Sequence, residues 1–256
     1  MANQEKLRYE NVGITGANGH IGTVLREGLQ DLYKIKSFTL EATSFPSVVL
    51  DLSDEDRIKG SFLGLDAVIH LAADVNPNSS WESISNNNIE ATYQVFEECR
   101  RSGVKRIVFA STNHVMHGNT ILTTPETLDA TKKNLMKLTD PSNPDSLYAI
   151  SKLFGENLGK LYSQQYGLEF VGLRIGWTIP EDDPSVKRGI SAEDYIRAMF
   201  LSKRDCVQAF RCALEVPTQF VLGYAISNND RKVFDLNETR QNLGYNPQDN
   251  AENYFK

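Results

Sequence analysis

The chain has 256 residues, enough to bury a large core in one domain with at most a small appended lobe. Its hydrophobic content of 40% and charged content of 23% are those of a soluble globular protein, not of a disordered chain. With 33 acidic against 27 basic side chains the net charge is -6, which argues against nucleic acid as the principal partner, because a phosphate backbone demands a basic face.

The first residues, Met-Ala-Asn-Gln-Glu-Lys, are polar, and no apolar run is long enough to span a bilayer, so a cytoplasmic chain with no membrane partner is expected. Cys99, Cys206 and Cys212 are odd in number, lack Cys-x-x-Cys spacing and sit in helical patterns, which reads as buried free thiols. The four histidines lack ligand spacing, and no metal is expected.

The stretch from Tyr9 to Leu25 reads as an apolar strand, a glycine turn and an amphipathic helix with Ile21, Val24, Leu25 and Leu29 on one face. Its core is Thr15-Gly16-x-x-Gly19-x-x-Gly22. The first glycine suits a tight turn, the second leaves room for a pyrophosphate and the third lets helix and strand approach closely. The new helix then points unpaired N–H groups at phosphate. The next strand, Ile35 to Leu40, ends in Glu41, nineteen residues after Gly22, where an acid can accept bonds from a ribose and repel a 2'-phosphate. NAD is therefore expected in preference to NADP.

Val48-Val-Leu50 is a short buried-strand candidate ending in Asp51-Leu52, and Ser53-Asp-Glu-Asp56 has the form of a capping box. The strand Asp66 to Ala73 ends in small residues, against which a flat cofactor can lie. From Ser79 to Arg101, Ile84, Asn88, Ala91, Val95 and Cys99 recur at helical spacing. Asn88 is the polar intruder on that face, either a satisfied buried amide or a group bonded to main chain near the active site. Val104 to Ala110 is the fifth strand and runs into Ser111-Thr-Asn-His114, a polar cluster at a strand's carboxyl end, where open α/β sheets place their chemistry. A long loop over about 117–146, with Pro125, Pro141 and Pro144, suggests a substrate-facing excursion.

A helix from Leu147 to Tyr166 and a strand from Leu168 to Ile175 follow. Beyond them come a turn at Glu181–Pro184 and two helices, the second opening at Ser202-Lys-Arg-Asp205. A strand at Gln219–Ile226 and a short helix at Asp235–Leu243 complete the chain. The expected architecture is an α/β, Rossmann-type doubly wound parallel sheet, with a cofactor domain over 1–176 and a small substrate lobe over 177–256.

Tyr148-Ala-Ile-Ser-Lys152 puts a phenol and an ammonium on one helix face. A nearby lysine cation favours the phenolate and draws a pKa near 10 toward the working range, while the same ammonium can hold a ribose hydroxyl.

Taken together and in order, Thr15-Gly-Ala-Asn-Gly-His-Ile-Gly22, Phe109-Ala-Ser-Thr112 and Tyr148-Ala-Ile-Ser-Lys152 resemble the extended short-chain dehydrogenase/reductase superfamily, the NAD-dependent epimerase/dehydratase family. The resemblance implies Tyr148 as catalytic acid/base, Lys152 as its tuner and ribose anchor, and Thr112 as the hydroxyl that orients the substrate oxygen. It places Asp51 and Leu52 beside the adenine. Asn18, His20, Ile21, Leu71, Ala72, Ala73, Asn88 and Ile175 come against the cofactor. Ser111-Thr-Asn-His114, Arg174-Ile-Gly176, Leu201 to Cys206, Ser227 to Arg231 and Leu243 to Asp249 are similar to the uronate dehydrogenase and archaeal-type NAD-dependent glucose-6-phosphate dehydrogenase group. That likeness implies oxidation of the anomeric carbon of a hexuronate or hexose phosphate to a lactone. Asn113 and His114 would touch the sugar, and Arg188 or Arg197 would meet its anionic group.

The sequence departs from the uronate enzymes at Trp177, where they carry serine, and in having no carboxylate-binding arginine in register; Trp177 itself reads equally as core or pocket wall. A homodimer is expected, paired through the two long helices. Two other readings stand beside this one: a nucleotide-sugar epimerase or dehydratase, and a non-catalytic NAD sensor. The first usually needs a larger C-terminal lobe than the roughly 80 residues after Arg174, and the second has no use for an intact Thr112, Tyr148 and Lys152.

Overall fold

The computed structural model describes residues 8–119 and 135–256, so Pro125 and the middle of the loop expected over 117–146 lie outside the described residues. The chain folds on seven parallel strands: β1 (Asn11–Thr15), β2 (Lys34–Thr39), β3 (Val48–Val49), β4 (Ala67–His70), β5 (Arg106–Thr112), β6 (Glu169–Ile175) and β7 (Phe220–Ala225). Their order is β3-β2-β1-β4-β5-β6-β7. β4 and β5 are buried along their whole length and β6 nearly so, which is why they read as apolar runs and not as alternations. β3 departs from the expectation: Val48 and Val49 are exposed, because the strand lies at the sheet edge and only Leu50 turns inward.

Helices cover both faces. On one side lie α1 (His20–Leu29) and α7 (Lys203–Glu215), and their apolar residues share a core with β1. Their approach is close, since a Cβ on Gly28 would lie 2.9 Å from Val207 Cγ1. The short α2 (Glu55–Ile58) is capped by Asp54, which accepts from the N–H groups of Asp56 and Arg57. Ser53, expected as the cap, bonds to Asp51 instead. The long helix expected over Ser79–Arg101 is made of α3 (Trp81–Ile84), a π-helical turn (Ser85–Glu90) and α4 (Ala91–Ser102). α5 (Leu147–Tyr166), capped by Ser146, packs beside it.

The boundary expected at residue 176 crosses the sheet. α7 and β7 belong to the main layers, because Phe210, Leu214, Val221 and Ala225 complete the core around β1 and β6. A smaller cluster forms the C-terminal wall of the crevice: α6 (Glu193–Met199) packs with Val115, Met136, Ile179, Phe234 and Ala251. The last helix, α8 (Asn237–Leu243), lies against β7. Ser202 caps α7 as expected, accepting from Asp205 N–H at 3.1 Å. Asp205 does not reach back to it and instead accepts from the N–H groups of Gln248 and Asp249, pinning the C-terminal segment. Cys99 and Cys206 are buried and Cys212 half-buried, all as free thiols. No helix of the described residues is long and apolar enough to cross a membrane.

Candidate active site

β1 and β4 are neighbours whose following segments leave to opposite sides of the sheet, and this switch point opens a crevice at the strands' carboxyl ends. Two adjoining cavities fill it, of about 320 and about 670 Å³, sharing Gly16, Asn18, Ala72 and Ala73.

The smaller cavity lies between Phe38, Thr39 and Leu40 at the end of β2 and Leu50, Asp51 and Leu52 after β3, with Asp74, Asn87 and Ala91 also lining it. Its shape and apolar walls suit an adenine. Glu41 is exposed and does not line it; Leu40 does, while the Thr39 hydroxyl donates to the Glu41 carbonyl and to Ser47. The lining nevertheless carries two carboxylates, Asp51 and Asp74, and no lysine or arginine among the described residues, an environment that repels a 2'-phosphate.

The turn between the cavities admits no side chain at Gly16 or Gly22. Gly16 has φ +67°, and a Cβ there would lie 2.8 Å from Ala72 N; a Cβ on Gly22 would lie 2.8 Å from Ala17 Cα. Thr15 holds the opposite wall, its hydroxyl accepting from the N–H groups of Leu71 and Ala72 while meeting His70 Nδ1 at 2.8 Å. His20 opens α1, and its Nε2 is buried without a hydrogen-bond partner. A turn that excludes a Cβ at Gly16 and Gly22, a helix N-terminus and an unsatisfied imidazole nitrogen fit a bound pyrophosphate.

His70 is structural, as its mid-strand position suggests. Its Nε2 meets Thr92 at 3.1 Å, and complete burial holds its pKa down to about 3. In the unfolded chain it protonates near 6.5, so native stability is lost as pH falls from 6.5 toward 3. We expect the urea midpoint to drop between pH 7 and pH 4.5, and a His70→Gln variant to show a shallower drop; equal slopes would contradict the assignment.

The larger cavity is lined by the glycine turn, by Leu71, Ala72, Ala73, Val75 and Pro77, and by Ala110, Ser111 and Thr112 at the end of β5 with Asn113 and His114 beyond it. Tyr148 and Lys152 of α5, Ile175 to Thr178 after β6, and Tyr195 of α6 complete it. Strand β5 carries Thr112 to the mouth, and the cap at Ser146 starts α5 there, so that Tyr148 falls on its first turn. The Thr112 side chain faces the Tyr148 phenol closely enough to lower its pKa against the larger effect of burial. Burial pushes Tyr148 up to about 12 and Lys152 down to about 7. The expected tuning of the phenol by lysine is absent from this arrangement. The Lys152 Nζ lies over the Tyr148 and Phe109 rings, 5.7 and 5.0 Å from their centroids, and burial disfavours its own charge.

Asn88 combines both of its expected readings and does not line the crevice. It accepts from Asp74 N–H at 2.7 Å, donates to the Asp74 carbonyl at 2.9 Å and donates to Ser151 Oγ at 2.9 Å. Ser151 in turn donates to the Tyr148 carbonyl. The π turn places Asn88 between the crevice wall and α5, a use of π-helical geometry common at functional sites.

Asn113 donates to the Tyr195 hydroxyl at 2.6 Å, and His114 Nδ1 meets Asp145 at 2.8 Å. Trp177 stands edge-on to Tyr195, their centroids 5.5 Å apart, which makes it a pocket wall. Tyr195 was not legible: within Glu193–Met199 it looks like any apolar helix position. Arg188 and Arg197 are not among the lining residues. Arg197 is engaged by Glu193 and Glu252 and packs on the Phe255 ring, and Arg188 reaches the Tyr254 carbonyl. No arginine lines either cavity, and no cluster of potential metal ligands occurs, among the described residues.

The profile of the NAD dependent epimerase/dehydratase family matches residues 12–192. The chain is 41% identical over 249 residues to the L-arabinose 1-dehydrogenase (NAD(P)(+)) of Haloferax volcanii, covering 94% of this chain and 97% of that one. It is 33% identical to the NAD-dependent glucose-6-phosphate dehydrogenase of the same organism, over 93% of both chains. Among solved structures, uronate dehydrogenase from Agrobacterium tumefaciens is similar at a TM-score of 0.81 and 28% identity, covering 96% of this chain and 87% of that chain.

Proposed function

The chain belongs to the NAD dependent epimerase/dehydratase family, and on that premise we propose that it oxidises the anomeric carbon of an uncharged aldose to a lactone. It is an oxidoreductase, and NAD is its cofactor. When bound, NAD would supply the hydride acceptor and a positive charge, held by the residues of the glycine turn and by Lys152. Tyr148 takes the proton of the C1 hydroxyl as hydride leaves C1, and Thr112 holds that oxygen in line. Lys152, buried on the same helix face, holds the ribose and favours the phenolate once the site is filled.

The observation that carries the choice of sugar is the larger cavity's lining. Hydroxyl, amide, imidazole and aromatic groups converge on it, and the two arginines expected to meet an anion are held elsewhere by Glu193, Glu252 and the Tyr254 carbonyl. A carboxylate or phosphate buried there meets no guanidinium among the described residues, whereas sugar hydroxyls find Asn113, His114 and Tyr195, and a sugar's C–H face can lie on Trp177. The likeness to an arabinose dehydrogenase supports the same class. The test is NADH formation with L-arabinose, other neutral aldoses, glucuronate, galacturonate and glucose 6-phosphate. The highest kcat/KM is expected on a neutral aldose, and a preference for any anionic sugar overturns the choice. With Asp51 and Asp74 in the adenine cavity, kcat/KM with NAD should exceed that with NADP; equal values contradict this reading.

The protein acts as a homodimer in this proposal. Ile150 and Leu161 of α5 are exposed, with the half-buried Phe154 on the same stripe, and Tyr93 of the neighbouring α4 is exposed too. Such a face suits a two-fold contact with a second copy. Light scattering at micromolar concentration should give a dimer, and Ile150→Glu should shift it toward monomer. A monomeric wild type overturns the proposal.

A further inference from the structure

Glu156 is a buried carboxylate that the reaction does not use. It lies on α5 one turn beyond Lys152 and accepts three hydrogen bonds: from Ser111 Oγ at 2.6 Å, and from Arg174 Nε and Nη2 at 3.0 and 2.9 Å. Ser111 immediately precedes Thr112 on β5, and Arg174 comes from β6. One carboxylate thus joins the strand that carries the substrate-orienting hydroxyl to the helix that carries the base. A second contact acts beside it: a Cβ on Gly155 would lie 2.7 Å from Phe109 Cε1, so the Phe109 ring occupies the place a side chain would take. An apolar slot alone permits sliding along the helix axis. A bidentate ion pair with a third hydrogen bond does not, because its geometry is directional.

We propose that Glu156 is a positioning residue that, with Arg174 and Ser111, fixes the register of α5 on β5 and thereby the separation of the Tyr148 and Thr112 hydroxyls. The inference rests on the proposed roles of those two hydroxyls. Burying a charge pair is weak support for stability, and replacing both members by apolar groups of similar volume is often neutral or stabilising, which separates positioning from folding.

The test is the double variant Glu156→Met with Arg174→Met, assayed for melting temperature, NAD affinity by fluorescence and turnover of L-arabinose, and crystallised. We expect a melting temperature and NAD affinity near wild type. The Tyr148–Thr112 hydroxyl separation should change by about 1 Å and kcat fall about 100-fold, with KM moving far less. A folded double variant with the wild-type hydroxyl separation overturns the proposal whether or not L-arabinose is turned over, and so does kcat within about threefold of wild type. If the double variant does not fold, Ser111→Ala decides on the same two readouts, and an unchanged separation overturns the proposal. Tyr148→Phe separates the two failures. If it stays active the catalytic reading fails; if it is inactive while the double variant keeps wild-type turnover, only the register role fails.

Discussion

Replacing Tyr148 by phenylalanine is expected to lower kcat by about 10²- to 10⁴-fold while leaving the dissociation constant for NAD within about twofold. The substitution removes the proton acceptor and keeps the ring that packs between Lys152 and His114. Steady-state kinetics on the best aldose, with fluorescence titration of NAD, measure both numbers. Burial holds the Tyr148 phenol at about 12, so its ionisation depends on positive charge brought close to it. Activity should therefore rise with pH along an acidic limb, and Lys152→Ala should move that limb upward as well as weakening NAD binding. Wild-type turnover in Tyr148→Phe would remove the phenol from the mechanism.

The second large effect is expected at the glycine turn. Gly22→Val puts a branched side chain where even a Cβ would lie 2.8 Å from Ala17 Cα, with the Gly16 carbonyl closer still. Main chain cannot yield as a flexible side chain can, so α1 must be displaced from the turn and its N–H groups from the phosphate position. We expect NAD affinity to fall at least about 100-fold, with some loss of stability. Circular dichroism and calorimetric titration separate the two, and a folded variant with wild-type NAD affinity would show that the pyrophosphate does not lie on this turn.

How much of this was legible depends on whether the signal was local. The turn Gly16–Gly22, the strands β4 to β6 and the helix carrying Tyr148 and Lys152 announce themselves through short-range chemistry: excluded side chains, fully apolar runs, helical spacing. Their placement follows directly. The cavity linings gather Asp51, Leu52, Leu71 to Ala73, Thr112 to His114 and Ile175 as the motifs suggested.

Several expected residues are placed differently by tertiary packing. Glu41 has the right spacing from the glycines, but β2 ends at Thr39, so Leu40 takes the lining position and the acid faces solvent. Arg188 and Arg197 lie near the site in sequence, yet Glu193 and Glu252 sit across from Arg197, and an arginine answers to the nearest carboxylate before any ligand. The π turn left no trace in a periodicity that continues through Asn88 and Ala91. Phe210 and Leu214, within the expected C-terminal lobe, find their partners around β1, some 200 residues earlier in the chain.

The central claim is direct transfer of hydrogen from the anomeric carbon of a neutral aldose to NAD, and isotopic labelling tests it most directly. With L-arabinose carrying deuterium at C1, the deuterium should appear in the NADH formed and be absent from the lactone, with one NADH per lactone. Undeuterated NADH from that sugar would contradict the account. So would turnover confined to a nucleotide sugar with no net NADH.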